Sequence, residues 1–176
     1  CYTIAISFDA NRRRILLTTV IVNGACGRMG QAVLKAVQEA DGLELVGAVD
    51  IKGGADTGSL VGLPANGILV ETDLEALLAR KKPEVMVDFT RPDVVFGNVM
   101  TALAHKTSPV VGTTGLSDEQ KAEIAKAAEA NDTPAFIAPN FAIGAVLLMV
   151  MSRQAAKYMP DVEIIELHHD KKLDAP

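Results

Sequence analysis

The residues best equipped for chemistry stand near the end of the chain, in ELHHDKKLDAP (residues 166–176), which closes the apolar run VEIIEL. In an extended strand neighbouring side chains point to opposite faces, so His168 and His169 serve one cleft only if the chain turns there. Lys172 follows four residues after His168, and a loop returns its ammonium toward the same pocket. A histidine and a lysine beside a reduced cofactor suit hydride transfer followed by protonation. Hydride delivered to a conjugated imine leaves an electron-rich centre to which a nearby acid must supply H⁺. Cations also attract a small dicarboxylate substrate. The competing reading of HHDKK is a solvated polar loop. His, His and Asp are metal-ligand types as well, but no cysteine or third spaced histidine accompanies them, which disfavours a metal.

A second chemical feature lies near the start. GACGRMG places Gly24, Gly27 and Gly30 around Ala25, Cys26, Arg28 and Met29, between a strand-like run and a helical pattern. The spacing G-x-x-G-x-x-G is a variant of the dinucleotide fingerprint. Its glycines permit a tight turn, close approach to a pyrophosphate and close helix–strand packing, while the helix N-terminus offers free N–H groups to phosphate. Asp50 stands 20 residues beyond Gly30, where a carboxylate meets the adenosine ribose. Lys52 and Arg28 are cations suited to a 2′-phosphate or pyrophosphate, or else solvated surface charges, so NADPH and NADH both stay open. Further on, DFT (Asp88, Phe89, Thr90), GTTG (Gly112, Thr113, Thr114, Gly115) and APNF (Ala138, Pro139, Asn140, Phe141) each end an apolar run. Small hydrogen-bonding residues at successive strand ends suit a nicotinamide and ribose, although the same residue types make ordinary turns.

The elements that must position these groups alternate along the chain. LLTTVIVN, LELVGAVD, GILVE, EVMVDFT, SPVVGTTG, PAFIAPN and DVEIIELHH read as strands, with EVMVDFT apolar enough to be buried on both faces. Between them RMGQAVLKAVQEA reads as a helix whose buried face is Met29, Val33, Ala36 and Val37, ended by Asp41-Gly42. TDLEALLARKK is a helix capped by Thr72, and Pro92 opens another that runs to about His105. SDEQKAEIAKAAEAND is capped by Ser117, with acidic residues in its first turn. FAIGAVLLMVMSRQAAKYM is a long apolar helix, and DIKGGADTGSLVG reads as loop. The alternation predicts an α/β fold, a Rossmann-type doubly wound parallel sheet with right-handed crossovers. The expected organisation is an extension of unclear status over residues 1–17, a dinucleotide-binding domain over 18–140, and the beginning of an α+β substrate and oligomerisation domain over 141–176.

Composition narrows the class. The chain has 176 residues, a net charge of −5 and 4% aromatics. No basic stripe or stacking platform argues for nucleic acid. The apolar stretches are too short for a membrane span, and no signal peptide is evident, so a cytoplasmic protein is expected. The two cysteines, Cys1 and Cys26, do not suggest a disulfide framework.

VIVNGACGRMG, VGAVD, VMVDFT, VVGTTGLS, APNFAIG and VEIIELHHDKKLDAP together resemble the 4-hydroxy-tetrahydrodipicolinate reductases (dihydrodipicolinate reductases) of lysine and diaminopimelate synthesis. The resemblance runs in order from about Val20 to Pro176; the ELHH…K.DAP and GTTG segments are its specific parts. It implies a Rossmann domain that binds NADH or NADPH through residues 24–30, Asp50, Gly112, Thr113, Thr114 and residues 138–141. It implies a catalytic His168, a proton-donating Lys172 and a substrate-contacting His169. The implied reaction is NAD(P)H-dependent reduction of a cyclic unsaturated imine dicarboxylate to tetrahydrodipicolinate, in a homotetramer. In the family DAP leads on into SGTA, which holds a substrate carboxylate; this sequence ends at Pro176, and the stretch before about Thr18 has no family counterpart. The expectation is therefore a part of such an enzyme that binds dinucleotide better than it turns over, with residues from about Phe141 onward poorly packed, swapped between chains or aggregation-prone. Two alternatives remain: a nucleotide-binding module without catalysis, and another Rossmann oxidoreductase acting on a small amino-acid-like substrate.

Overall fold

The computed structural model describes residues 17–138, 141–159, 161, 163 and 165. His168, His169, Lys172, Pro139 and Asn140 lie outside the described residues, as do six of the nine residues of the last expected strand.

β-Branched residues dominate the first strand, β1 (Thr18–Asn23), which pairs in parallel with β2 (Leu43–Val49) on one side and β4 (Val85–Asp88) on the other. A strand flanked on both edges and covered on both faces must be largely apolar, and Val20, Ile21 and Val22 are buried, with polar Asn23 buried at its end. β3 (Val70–Glu71) extends the sheet beyond β2; β5 (Ser108–Val111) and β6 (Phe136–Ile137) extend it beyond β4. The order is β3-β2-β1-β4-β5-β6, parallel in every strand pairing. This is the doubly wound arrangement, in which connections leave in opposite directions from β1 and open a crevice at the carboxyl ends of β1 and β4.

Alternating side chains divide the core between the two faces. Val20 and Val22 pack with Leu34, Val37, Leu45, Ala48 and Val70, while Ile21 packs with Val49, Leu77, Leu78, Met86 and Ala102. A third cluster joins Val95, Val99 and Leu103 to Val111 and Ile124.

Helix α1 (Arg28–Glu39) buries Gly30, Leu34 and Val37; of the expected stripe Val37 is buried and Val33 packs against the core, whereas the other two residues are not buried. Met29 is 46% exposed and Ala36 is exposed. The reason is steric: the helix rotates so that its glycine, not a methionine, faces the turn it follows. The expected loop after Asp50 contains a short helix, α2 (Thr57–Leu60), because the Asp56 carboxylate accepts from the Gly58 and Ser59 amides. Helix α3 (Leu74–Lys81) is capped by Asp73, not Thr72; its side chain accepts from Ala76 N–H at 3.0 Å. Helix α4 (Val95–Ala104) begins after Pro92, which stays in the preceding turn. Helix α5 (Asp118–Ala130) carries the expected Ser117 cap, completed by Gln120 reaching back to the Ser117 amide at 3.0 Å.

The chain divides into two compact units, Cys1–Pro139 and Asn140–Pro176. The second contains α6 (Ile143–Ala155), none of whose residues is buried; Ile143, Leu147, Leu148 and Met151 are exposed.

Candidate functional site

The turn between β1 and α1 is built on backbone contacts that leave no room for side chains. Gly24 takes φ +82°, and a Cβ there would lie 2.5 Å from the Phe89 carbonyl oxygen at the end of β4. A Cβ on Gly30 would run into the Gly24 carbonyl oxygen. Gly27 donates its N–H to that same oxygen at 3.1 Å, and Gln31 N–H donates to Gly27 C=O at 2.9 Å. The Arg28, Met29 and Gly30 amides thus lie ahead of the first intrahelical bond, at the positive end of the helix dipole. That is a cradle for an anion made of main chain alone.

Asp50 follows β2 directly, and its carboxylate closes the turn. It accepts Cys26 N–H at 2.9 Å on one oxygen and Lys52 N–H at 3.1 Å on the other. The Cys26 amide is therefore spent on Asp50 rather than turned to phosphate, a detail that spacing alone did not show. The Cys26 thiol donates to the Lys52 carbonyl at 3.2 Å. Its pKa is pushed up, first by burial and then by the Asp50 carboxylate, with Lys52 opposing. Arg28, Met29 and Lys52 are exposed around this turn.

Next to the turn lies a cleft of about 230 Å³ at the carboxyl edge of the sheet. Asn23, Gly24, Asp50, Thr72, Thr90 and Arg91 are among its walls. It lies where the chain order reverses between β1 and β4, the place at which open α/β sheets bind ligands. Arg91 is held by Asp93 at 2.7 Å, an exposed pair.

The strand-end loops come together on one buried carboxylate. Asp88 is fully buried and is the register partner of Asn23 across β1 and β4. Its Oδ2 accepts from Asn23 Nδ2 at 2.9 Å and Asn98 Nδ2 at 3.0 Å. Its Oδ1 accepts from Thr90 N–H at 3.0 Å, Thr90 Oγ1 at 2.7 Å and Thr113 Oγ1 at 2.9 Å. Gly112 donates to the Asp88 carbonyl at 2.9 Å, and a Cβ on it would strike the Phe89 ring. Thr114 is exposed, and a second cleft of about 350 Å³ is lined by Thr113, Thr114, Gly115, Leu116, Lys121 and Ile137. Ala138 donates to the Val111 carbonyl at 3.1 Å. Phe141 belongs to the second unit and is 44% exposed.

The fold thus brings residues 24–30, Asp50, Gly112 and Thr113 to one edge of the sheet, with Lys52 beside Asp50. Sequence reasoning did not single out Asn23 and Asn98, nor the role of Asp88 as their common acceptor. One signal was present: a carboxylate ending a strand too apolar for solvent must find donors inside.

The sequence that builds this fold and these clefts has known relatives. Residues 18–141 match the family model "Dihydrodipicolinate reductase, N-terminus", and residues 144–176 match "Dihydrodipicolinate reductase, C-terminus". The chain is 45% identical over 158 residues to the 4-hydroxy-tetrahydrodipicolinate reductase of Moorella thermoacetica, a match that covers 89% of this chain and 59% of that protein. It is 49% identical to the Syntrophomonas wolfei enzyme of that name, with the same coverage. Among solved structures, dipicolinate-bound dihydrodipicolinate reductase from Paenisporosarcina sp. TG-14 superposes with a TM-score of 0.75 at 44% identity, covering 91% of this chain and 61% of that one. The chain spans about 60% of the length of the curated relatives it matches.

Proposed function

We propose that this chain, which belongs to the dihydrodipicolinate reductase family, carries the coenzyme site of an NAD(P)H-dependent 4-hydroxy-tetrahydrodipicolinate reductase acting in lysine and diaminopimelate synthesis. The single observation that carries the reading is the main-chain cradle of residues 24–30 standing beside Asp50 at the crevice of a β3-β2-β1-β4-β5-β6 sheet.

The residues present fit a dinucleotide. Gly24 and Gly30 close a turn in which a Cβ at either would strike main chain, and the Arg28, Met29 and Gly30 amides, which precede the first intrahelical bond, would hold a pyrophosphate. Asp50, fixed by two backbone amides, has lone pairs left for ribose hydroxyls. The fixed carboxylate favours an unphosphorylated ribose, while exposed Lys52 and Arg28 offer charge to a 2′-phosphate. The site therefore accepts either NADH or NADPH. Gly112, Thr113 and Thr114 form the wall for the nicotinamide end, and the family resemblance assigns Ala138, Pro139, Asn140 and Phe141 to the coenzyme as well. When bound, the reduced nicotinamide supplies the hydride. His168 and Lys172 hold and deliver the proton, and His169 orients a substrate carboxylate, a pairing of charge that suits a dicarboxylate such as the dipicolinate bound to the Paenisporosarcina relative. The first unit is the dinucleotide-binding domain, and the second begins the substrate and tetramerisation domain of a cytoplasmic enzyme.

Isothermal titration of the folded chain with NADH and NADPH tests the coenzyme site. Micromolar or tighter binding of either is expected, and no heat from both refutes it. Loss of reduced-nicotinamide absorbance on adding 4-hydroxy-tetrahydrodipicolinate to the full-length protein tests the reaction, with Lys172→Ala expected to abolish it.

A further inference from the structure

We propose that Asp88 is the positioning residue that locks the two parts of the dinucleotide crevice into one preformed frame. The proposal rests on the coenzyme reading above and goes beyond it by naming what sets the crevice's geometry.

The carboxylate is 0% exposed, and none of the ion pairs among the described residues includes it. A buried charge without a counterion is costly, and only hydrogen bonds can offset that cost. Asp88 receives five: one from Asn23 at the end of β1, two from Thr90 in the loop after β4, one from Asn98 on α4 and one from Thr113 in the loop after β5. No neutral side chain offers acceptors for donors converging from both sides; a carboxylate does, with roughly four lone-pair sites on two oxygens. Packing alone does not call for a charge here, since Met86, two residues earlier on the same face of β4, is apolar and fully buried.

The donors are the walls of the crevice. Asn23, Thr90 and Asn98 line the cleft beside Asp50, and Thr113 lines the cleft beyond β5. Asp88 itself lines neither, so it would act on a bound dinucleotide only through these residues. Holding both walls from one buried point removes their freedom before the ligand arrives, which lowers the ordering cost of binding. It also makes the wall at the adenosine end and the wall at the nicotinamide end depend on one another.

The test is a double-mutant cycle on the full chain, with NADH and ADP-ribose as probes and thermal melting as the check on folding. Thr113→Val keeps the side chain's shape and removes one donor. It is expected to weaken NADH by roughly three- to tenfold while leaving ADP-ribose within about twofold. Asp88→Ala is expected to weaken both probes by at least about tenfold. In the Asp88→Ala background Thr113→Val then costs little more, because the hydroxyl has lost its anchor. Where Asp88→Ala does not fold, Asp88→Asn takes its place: its amide keeps one acceptor oxygen but sets an NH2 against donors on the other side, and weaker binding of both probes is expected. A folded Asp88 variant that binds NADH as the wild type does overturns the proposal, and so does a Thr113→Val penalty of equal size in both backgrounds. A wild-type chain that binds neither NADH nor NADPH removes the coenzyme reading and this inference together; binding by the wild type with additive variants removes this inference alone.

Discussion

Replacing Gly30 by alanine sets two physical effects against each other. Alanine is the better helix former, and within a helix the exchange is worth at most about 1 kcal/mol in its favour. At this position, however, the added methyl would lie 2.8 Å from the Gly24 carbonyl carbon and 2.9 Å from Ala25 Cα, and closer still to the Gly24 oxygen, where ordinary contact begins at 3.4 Å. All three obstacles are main chain, so no rotamer change relieves them; the turn or the helix must shift by roughly half an ångström or more. Overpacking of this kind costs about 1–3 kcal/mol, and backbone obstacles put it toward the upper end. The net expectation is a loss of about 1–2 kcal/mol, a fall in melting temperature of roughly 3–8 °C. Gly27→Ala is the matched control. Its backbone, at φ −70° and ψ 162°, suits any residue, and the added Cβ would stand 3.2 Å from the Gly24 oxygen. It is expected to melt within about 2 °C of wild type while NADH binding weakens by about tenfold or more, because a methyl on this turn would hold the proposed pyrophosphate away from its backbone. Circular dichroism melts without ligand, paired with calorimetric titration of NADH, separate the two effects. If Gly30→Ala melts at or above wild type, the helix–turn contact is not as close as described; if Gly27→Ala binds NADH normally, the phosphate does not lie against this turn.

Three other perturbations have definite outcomes. Asp50→Ala, assayed by titration with each nucleotide, is expected to weaken NADH by on the order of tenfold and NADPH by less; equal losses refute the ribose assignment. The Cys26 thiol, with its pKa raised by burial and by Asp50, is expected to react with iodoacetamide more slowly than a free thiol near neutral pH and to speed up only above the ordinary thiol range; a rate like that of glutathione at pH 7 contradicts this. Asp56 accepts backbone N–H bonds from Gly58, Ser59, Asn66 and Gly67, and its carboxyl is held below the usual range, with the Ser59 bond the largest cause. A depressed pKa contributes stability that is present above the unfolded value and lost as pH falls through the folded one. Hydrogen-exchange protection, taken relative to the intrinsic rate at each pH, should therefore fall in acid at residues 57–67 before it falls at the β1 amides, and Asp56→Asn should remove that pH step.

Period and punctuation carried much of the architecture. Apolar runs ending in polar residues marked the strands of a parallel sheet, and Ser117 with Gln120 announced the start of α5. The helix caps and faces were less legible. Asp73 took the cap from Thr72 because one-residue shifts at a helix start leave the pattern of TDLEALL unchanged. The buried face of α1 turned on Gly30, since it is contact with Gly24, not hydropathy, that sets the helix's rotation.

The composition of GACGRMG, the position of Asp50 and the strand-end loops are local facts, and local rules of turn, cap and periodicity suffice to read them as a dinucleotide fold. What tertiary structure alone decided is which donors meet which acceptors. Cys26 N–H reaches Asp50 across 24 residues, and Asn23 and Thr113 reach Asp88 across 65 and 25. A buried carboxylate announces that it needs partners, but sequence spacing does not say which ones. That choice follows from the strand order, which brings the ends of β1, β4 and β5 together and so turns separate loops into one site.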